Sequence, residues 1–104
     1  MAVRRATKLE RDFQGDLIKE LRDEIFPGCI VLKNDSALIQ GIPDLTILYG
    51  NQYAVLEVKK SADEDYQPNQ EWYLDKVYEW GSFSATIYPE NKARVLTALI
   101  DYFN

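Results

Sequence analysis

The chain has no histidine and only one cysteine, Cys29, in 104 residues. The first absence excludes His-dependent nucleophile triads, histidine general bases and histidine-containing zinc sites. The second excludes a disulfide framework within the chain. With Cys29 in an apolar run, a reducing compartment, the cytoplasm, is expected. No apolar run is long enough to span a membrane. Met1-Ala2-Val3-Arg4-Arg5 is not followed by the apolar stretch of a signal peptide. A Gly-rich phosphate loop is also missing, which argues against a nucleotide-binding protein. Positive charge is short as well: 12 Lys and Arg stand against 17 Asp and Glu, for a net charge of −5. That argues weakly against nucleic acid as partner, since most such proteins carry a basic surface.

What is present fits one globular domain, long enough to bury about two-thirds of its unfolded surface. Lys8 to Phe26 reads as a helix, with Leu9, Phe13, Leu17, Ile18, Leu21 and Ile25 at helical spacing. Thr7 and Glu10 form a capping-box pattern, and Pro27-Gly28 ends the helix. Cys29 to Leu32 reads as a short strand and 33–42 as an irregular segment. Leu45–Tyr49 and Tyr53–Val58 are β-rich runs joined by the hairpin signal Gly50-Asn51. Leu45, Ile47, Leu56 and Val58 fall on one face of this hairpin and Leu48 and Val55 on the other, the pattern of strands covered on both sides. Ser61–Pro68 reads as a loop, and Asn69–Trp80 as a helix stopped by Gly81. Phe83–Tyr88 alternates as a strand. A last helix, capped by Asn91, carries Val95, Leu96, Leu99, Ile100 and Phe103 as its stripe. The order is helix, three strands, helix, strand, helix, which predicts a layered α/β domain.

The chemistry-bearing residues are Asp44, Glu57 and Lys59. A two-residue loop at Gly50-Asn51 pairs Tyr49 with Gln52, Leu48 with Tyr53, Thr46 with Val55 and Asp44 with Glu57. Directly opposed side chains have Cβ atoms about 5 Å apart, and like charges there repel. Lys59, two residues on, points the same way. Two carboxylates held together in an apolar sheet call for a cation between them. A four-residue loop would instead pair Asp44 with Lys59 as an ordinary ion pair, and a three-residue loop would bring Asp44 opposite Val58. Glu10 falls in the middle of the first helix's apolar stripe. Either it completes the capping box, or it reaches the cation near Asp44 and Glu57, with Gln14 one turn later facing the same site. Tyr66, Trp72, Tyr73, Tyr78 and Trp80 invite base stacking, but aromatics at helical spacing are more often core or a homodimer face. Arg4, Arg5, Lys8 and Arg11 cluster at one end, as phosphate contacts or as a solvated tail.

Gly41-Ile42-Pro43-Asp44 followed by Glu57-Val58-Lys59 resembles the PD-(D/E)XK nuclease signature. The resemblance is closest to the VRR-NUC branch, in its stand-alone, phage-type form. There, too, an early helix carries Glu and then Gln, as at Glu10 and Gln14, and a later helix carries a Gln, as at Gln70, before a Gly and a strand. The likeness spans nearly the whole chain. It implies a restriction-endonuclease-like αβββαβ core, with a mixed central sheet flanked by helices. One departure is the acidic run Asp63-Glu64-Asp65 after Lys59, where a DNA-facing loop would normally be less acidic.

The resemblance implies a DNA endonuclease dependent on Mg²⁺ or Mn²⁺. Asp44, Glu57, the Val58 carbonyl and Glu10 would hold the cation, which suits carboxylate and carbonyl oxygens. The cation would activate a water and stabilise charge on the scissile phosphate. Lys59 would orient that water or bind the developing charge. Gln70 would position the phosphate or Lys59. Gln14 and Lys60 join Arg4, Arg5 and Lys8 as expected DNA contacts. The implied substrate is branched DNA, a Holliday junction or flap, cut by a homodimer. The alternative is a catalytically silent nuclease fold used for DNA binding or assembly.

Overall fold

A computed structural model describes the backbone of residues 2–104 and the side chains of residues 10–104. Among these residues the architecture is mixed α/β, a four-stranded mixed sheet with three α-helices. The expected order of elements is the observed one: α1 (Ala2–Glu20), β1 (Ile30–Lys33), β2 (Leu45–Tyr49), β3 (Gln52–Val58), α2 (Gln70–Glu79), β4 (Phe83–Ile87) and α3 (Lys92–Phe103). Strands lie in the order β1-β2-β3-β4. The first two pairings are antiparallel, and β3 and β4 run parallel, linked through α2.

α1 begins earlier than the sequence pattern predicts. It runs through Thr7, so Thr7 is not an N-cap and Glu10 does not belong to a capping box. The preceding residues include Ala2, Arg4, Arg5 and Ala6, good helix formers that carry the helix back without an apolar stripe to announce it. Its far end widens into a π turn, Leu21–Ile25, where the Phe26 amide donates to the Leu21 carbonyl at 2.9 Å. Pro27 follows, and the helix cannot continue.

Leu17 and Leu21 of α1 and Val95, Leu96, Leu99 and Phe103 of α3 cover one sheet face, against Leu45, Ile47, Ala54, Leu56, Val58 and Ile87. Ile100, expected in the α3 stripe, is exposed at the rim. α2 covers the other face with Leu74 and Val77 on Val55. That cover stops short of the β1 edge. Leu48, expected to be covered, is left exposed beside Ile30 and Leu32. No helix among the described residues is long and apolar enough to cross a membrane.

α2 ends in a complete Schellman motif. Ser82 N–H bonds to the Val77 carbonyl at 3.2 Å and Gly81 N–H to Tyr78 at 3.0 Å, with Gly81 at φ 89°. Asn91 occupies the position before α3, but its side chain does not cap it. Its Oδ1 accepts from the Tyr88 amide at 2.8 Å and its Nδ2 donates to the Thr86 carbonyl at 3.0 Å, securing the end of β4.

Candidate active site

The hairpin register follows the two-residue loop. Tyr49 pairs with Gln52, Leu48 with Tyr53, Thr46 with Val55 and Leu45 with Leu56. Asp44 and Glu57 are therefore the next opposed pair outward. Gly50 opens the turn at φ 63°, as a hairpin turn with glycine in its first central position requires. The Val58 amide donates to Asp44 Oδ2 at 2.8 Å, fixing that carboxylate against the neighbouring strand.

Asp44 lies just ahead of β2, and its backbone is held by Asn34, a residue of the segment 33–42 whose sequence reads as irregular. Asn34 N–H donates to the Asp44 carbonyl at 2.8 Å. Its side-chain Nδ2 donates to the Pro43 carbonyl at 2.8 Å and to Thr46 Oγ1 at 2.9 Å. One asparagine thus fixes the residues on both sides of the Pro-Asp step. Nothing in the string Lys33-Asn34-Asp35 separates this asparagine from an ordinary loop residue.

Glu57 and Lys59 are only 2% and 3% exposed, which rules out a solvated face for either. The Lys59 ammonium donates to Gln70 Oε1 at 2.8 Å and to the Asp65 carbonyl at 3.2 Å. It lies 3.5 Å from Glu57 Oε2 and 3.6 Å from Glu64 Oε2. Gln70, at the start of α2, bridges the pair by donating from Nε2 to Glu57 Oε2 at 2.8 Å. Its orientation is settled by chemistry, because Lys59 can only donate and must therefore face the amide oxygen. The Gln67 amide also donates to that oxygen, at 2.6 Å.

The other oxygen of Glu57, Oε1, is buried without a hydrogen-bond partner. Such an atom is costly unless something else meets it. Burial, and then the charge of Asp44, push the Glu57 carboxyl up to about 8. Burial likewise raises Asp44. Glu10 is raised by partial burial and then by the charges of Glu64 and Asp44, which places it within electrostatic reach of the group. Two carboxylates pushed toward their protonated forms are the environment in which a hard divalent cation replaces protons. The donor set suits Mg²⁺ or Mn²⁺: carboxylate oxygens, one of them unsatisfied, with the Val58 carbonyl at the end of β3. Among the described residues, however, no three acidic or cysteine side chains close on a common cation position. Glu57 and Glu64 flank the Lys59 ammonium instead.

The fold therefore brings together Asp44, Glu57, Lys59 and Gln70, with Glu10 at the margin. Gln14 is half-buried one turn after Glu10, and the Lys60 side chain is exposed. The side chains of Arg4, Arg5 and Lys8 lie outside the described residues. Glu64, in the acidic run Asp63-Glu64-Asp65, faces inward, which its sequence context does not show. Of the aromatics, Tyr66, Trp72, Tyr78 and Trp80 are exposed and so are not core, while Tyr73 is half-buried. Compared with known proteins, the chain matches no family model, and no characterised protein or solved structure is significantly similar to it.

Proposed function

We propose that this chain is a metal-dependent deoxyribonuclease with a PD-(D/E)XK site on a restriction-endonuclease-like core. The observation that carries the reading is the Asp44–Glu57–Lys59 group, with Glu57 and Lys59 buried, Asp44 half-buried and Glu57 Oε1 without a hydrogen-bond partner. A purely structural ion pair does not call for a second carboxylate opposite it. The order of elements and the mixed sheet are compatible with the αβββαβ core that the sequence resemblance implies. Branched DNA as substrate, a homodimer and a phage-type source rest on that resemblance alone.

Asp44, Glu57 and the Val58 carbonyl would hold Mg²⁺ or Mn²⁺, with Glu10 in support. Bound there, the cation would supply Lewis acidity toward a water and charge toward the phosphate. The chain's own residues do the rest. The Val58 amide and Asn34 fix Asp44. Gln70 holds Lys59 and Glu57 in one arrangement, so little reorganisation is needed when charge develops. The Lys59 ammonium, shielded from water, offsets negative charge on the phosphate as a point donor.

The test is cleavage of end-labelled four-way junction, flap, single-stranded and duplex DNA with Mg²⁺, with Mn²⁺ and with EDTA. Metal-dependent cutting is expected, reduced about 100-fold or more by Lys59→Ala and by Asp44→Asn. Failure of the folded wild type to cut any of these substrates would sink the reading. A second reading, a silent nuclease fold that binds DNA, is favoured by the saturation of Lys59 with protein partners. It predicts DNA binding without cutting, unchanged in Asp44→Asn.

A further inference from the structure

The ammonium of Lys59 has three protons to give, and the protein surrounds it with four acceptors. Gln70 Oε1 and the Asp65 carbonyl take direct bonds, while Glu57 and Glu64 flank it. Glu57 lies two residues back along the chain, at the end of β3, and is there by side-chain alternation. Glu64 is not: it comes from the loop after β3. Its second oxygen, Oε1, accepts from the Lys60 amide at 2.9 Å. One loop carboxylate is therefore held by an ammonium and a backbone amide, a donor pair that also suits a phosphate oxygen. Tyr66 closes the arrangement. Its ring lies 5.6 Å from the Lys59 ammonium and its hydroxyl is 2.6 Å from Thr86 Oγ1.

Glu64 occupies this place against local repulsion. Its charge is among the causes that raise both Glu10 and Asp44. In a loop whose neighbours Asp63 and Asp65 are exposed, an inward glutamate beside other carboxylates is held by the cationic and amide donors it meets. A phosphodiester carries the same single negative charge and could take over the same donors without leaving Lys59 unpaired.

We propose that the Lys59 ammonium and the Lys60 amide form a phosphate-binding site, and that Glu64 is its internal occupant, displaced when a nucleic-acid phosphate arrives. The proposal rests on the nuclease reading and adds to it that the free protein holds its own competitor. The loop 61–66 must move for the backbone of DNA to reach Lys59, and the strength of the Glu64 contacts sets part of the cost of binding.

The test is equilibrium binding of fluorescein-labelled four-way junction and linear duplex DNA by anisotropy. It is done in EDTA with the full chain as wild type, Glu64→Gln, Glu64→Ala and Asp63→Asn. Asp63→Asn removes the same unit of charge from an exposed position of the same loop and so measures the general electrostatic gain. Glu64→Gln and Glu64→Ala are expected to tighten binding about 10-fold, and Asp63→Asn no more than about 2-fold. Equal gains from Asp63→Asn and the Glu64 variants, or no gain at Glu64, would overturn the proposal. So would the absence of binding by every protein. In that last case, metal-dependent cutting in the assay above would leave the nuclease reading standing, and its absence would remove both.

Discussion

Gly41 packs against Asn69 so closely that a Cβ built on it would lie 2.6 Å from the Asn69 Cβ and 2.6 Å from the Pro68 carbonyl oxygen. This contact joins the segment that leads into Asp44 to the residue that opens the Gln70 helix. Both partners are conformationally unusual, with φ 86° at Gly41 and φ 72° at Asn69. Gly41→Ala must strain the backbone and push against backbone atoms that cannot rotate away. We expect it to cost at least about 2 kcal/mol, read from the urea midpoint. An unchanged midpoint would mean that the two segments separate freely.

That same contact marks the limit of what the sequence made legible. The hairpin register was readable because Gly50-Asn51 admits a two-residue loop and side-chain alternation then allows no half-steps. Glu57 and Lys59 followed from it, and Gln70 from the resemblance. What remained hidden were long-range contacts made by residues with no local pattern. Asn34 and Glu64 look like loop residues, and Asn69 like an ordinary helix start, because their roles depend on what the fold brings to them. The start of α1 was misplaced for the opposite reason: Thr7 and Glu10 form a strong local capping pattern, and helix propensity upstream overrode it.

Asn34 fixes the Pro43–Asp44 step through its side-chain bonds to the Pro43 carbonyl and Thr46 Oγ1. Asn34→Ala leaves two partly buried acceptors without that donor and should cost about 1–2 kcal/mol. Because the Pro43–Asp44 step is then held only by backbone bonds, Mn²⁺ affinity measured by titration calorimetry should fall further than the stability loss implies. Asn34→Asp is expected to be worse, since it replaces the donor with a charge beside the Pro43 carbonyl.

Gln70 bridges Glu57 and Lys59 with the two ends of one amide, donating to Glu57 and accepting from Lys59. A glutamate at this position can satisfy Lys59, but it accepts from Glu57 only while Glu57 keeps its proton, and where Glu57 ionises it sets a carboxylate against a carboxylate. Gln70→Glu should destabilise the metal-free protein at neutral pH by about 1–3 kcal/mol and recover much of that loss on acidification. Gln70→Ala should show the loss without the recovery. Thermal melts at pH 5 and pH 7.5 separate the two cases, and identical pH behaviour would contradict the bridging role.

A cation that binds the folded carboxylates and not the unfolded chain raises the melting temperature by mass action. At a concentration 100 times its dissociation constant the gain is about 2.7 kcal/mol. Mn²⁺ should therefore raise the melting temperature of the wild type, EDTA should reverse the shift, and Asp44→Asn should shift far less. Equal shifts in the two proteins would place the cation elsewhere.

The pH dependence of stability without metal has a definite sign. Glu57 is held up near 8 in the folded protein against an ordinary value of 4.5, and Asp44 moves in the same direction. The folded state thus binds protons more tightly than the unfolded chain. The stability linked to Glu57 is fully present below about pH 4.5 and is lost as pH rises toward 8, at up to about 1.4 kcal/mol per pH unit. This is opposite to a salt-bridged carboxylate whose folded value is depressed. Glu57→Gln removes the titrating group and should flatten the decline between pH 5 and 8, whatever it does to stability at any single pH. Saturating Mg²⁺ or Mn²⁺ should flatten it in the wild type too, because the cation favours the ionised form that burial disfavours. Urea unfolding at several pH values in EDTA measures the slope, and a wild-type slope equal to that of Glu57→Gln would show that Glu57 is ionised in the folded protein without help from a metal.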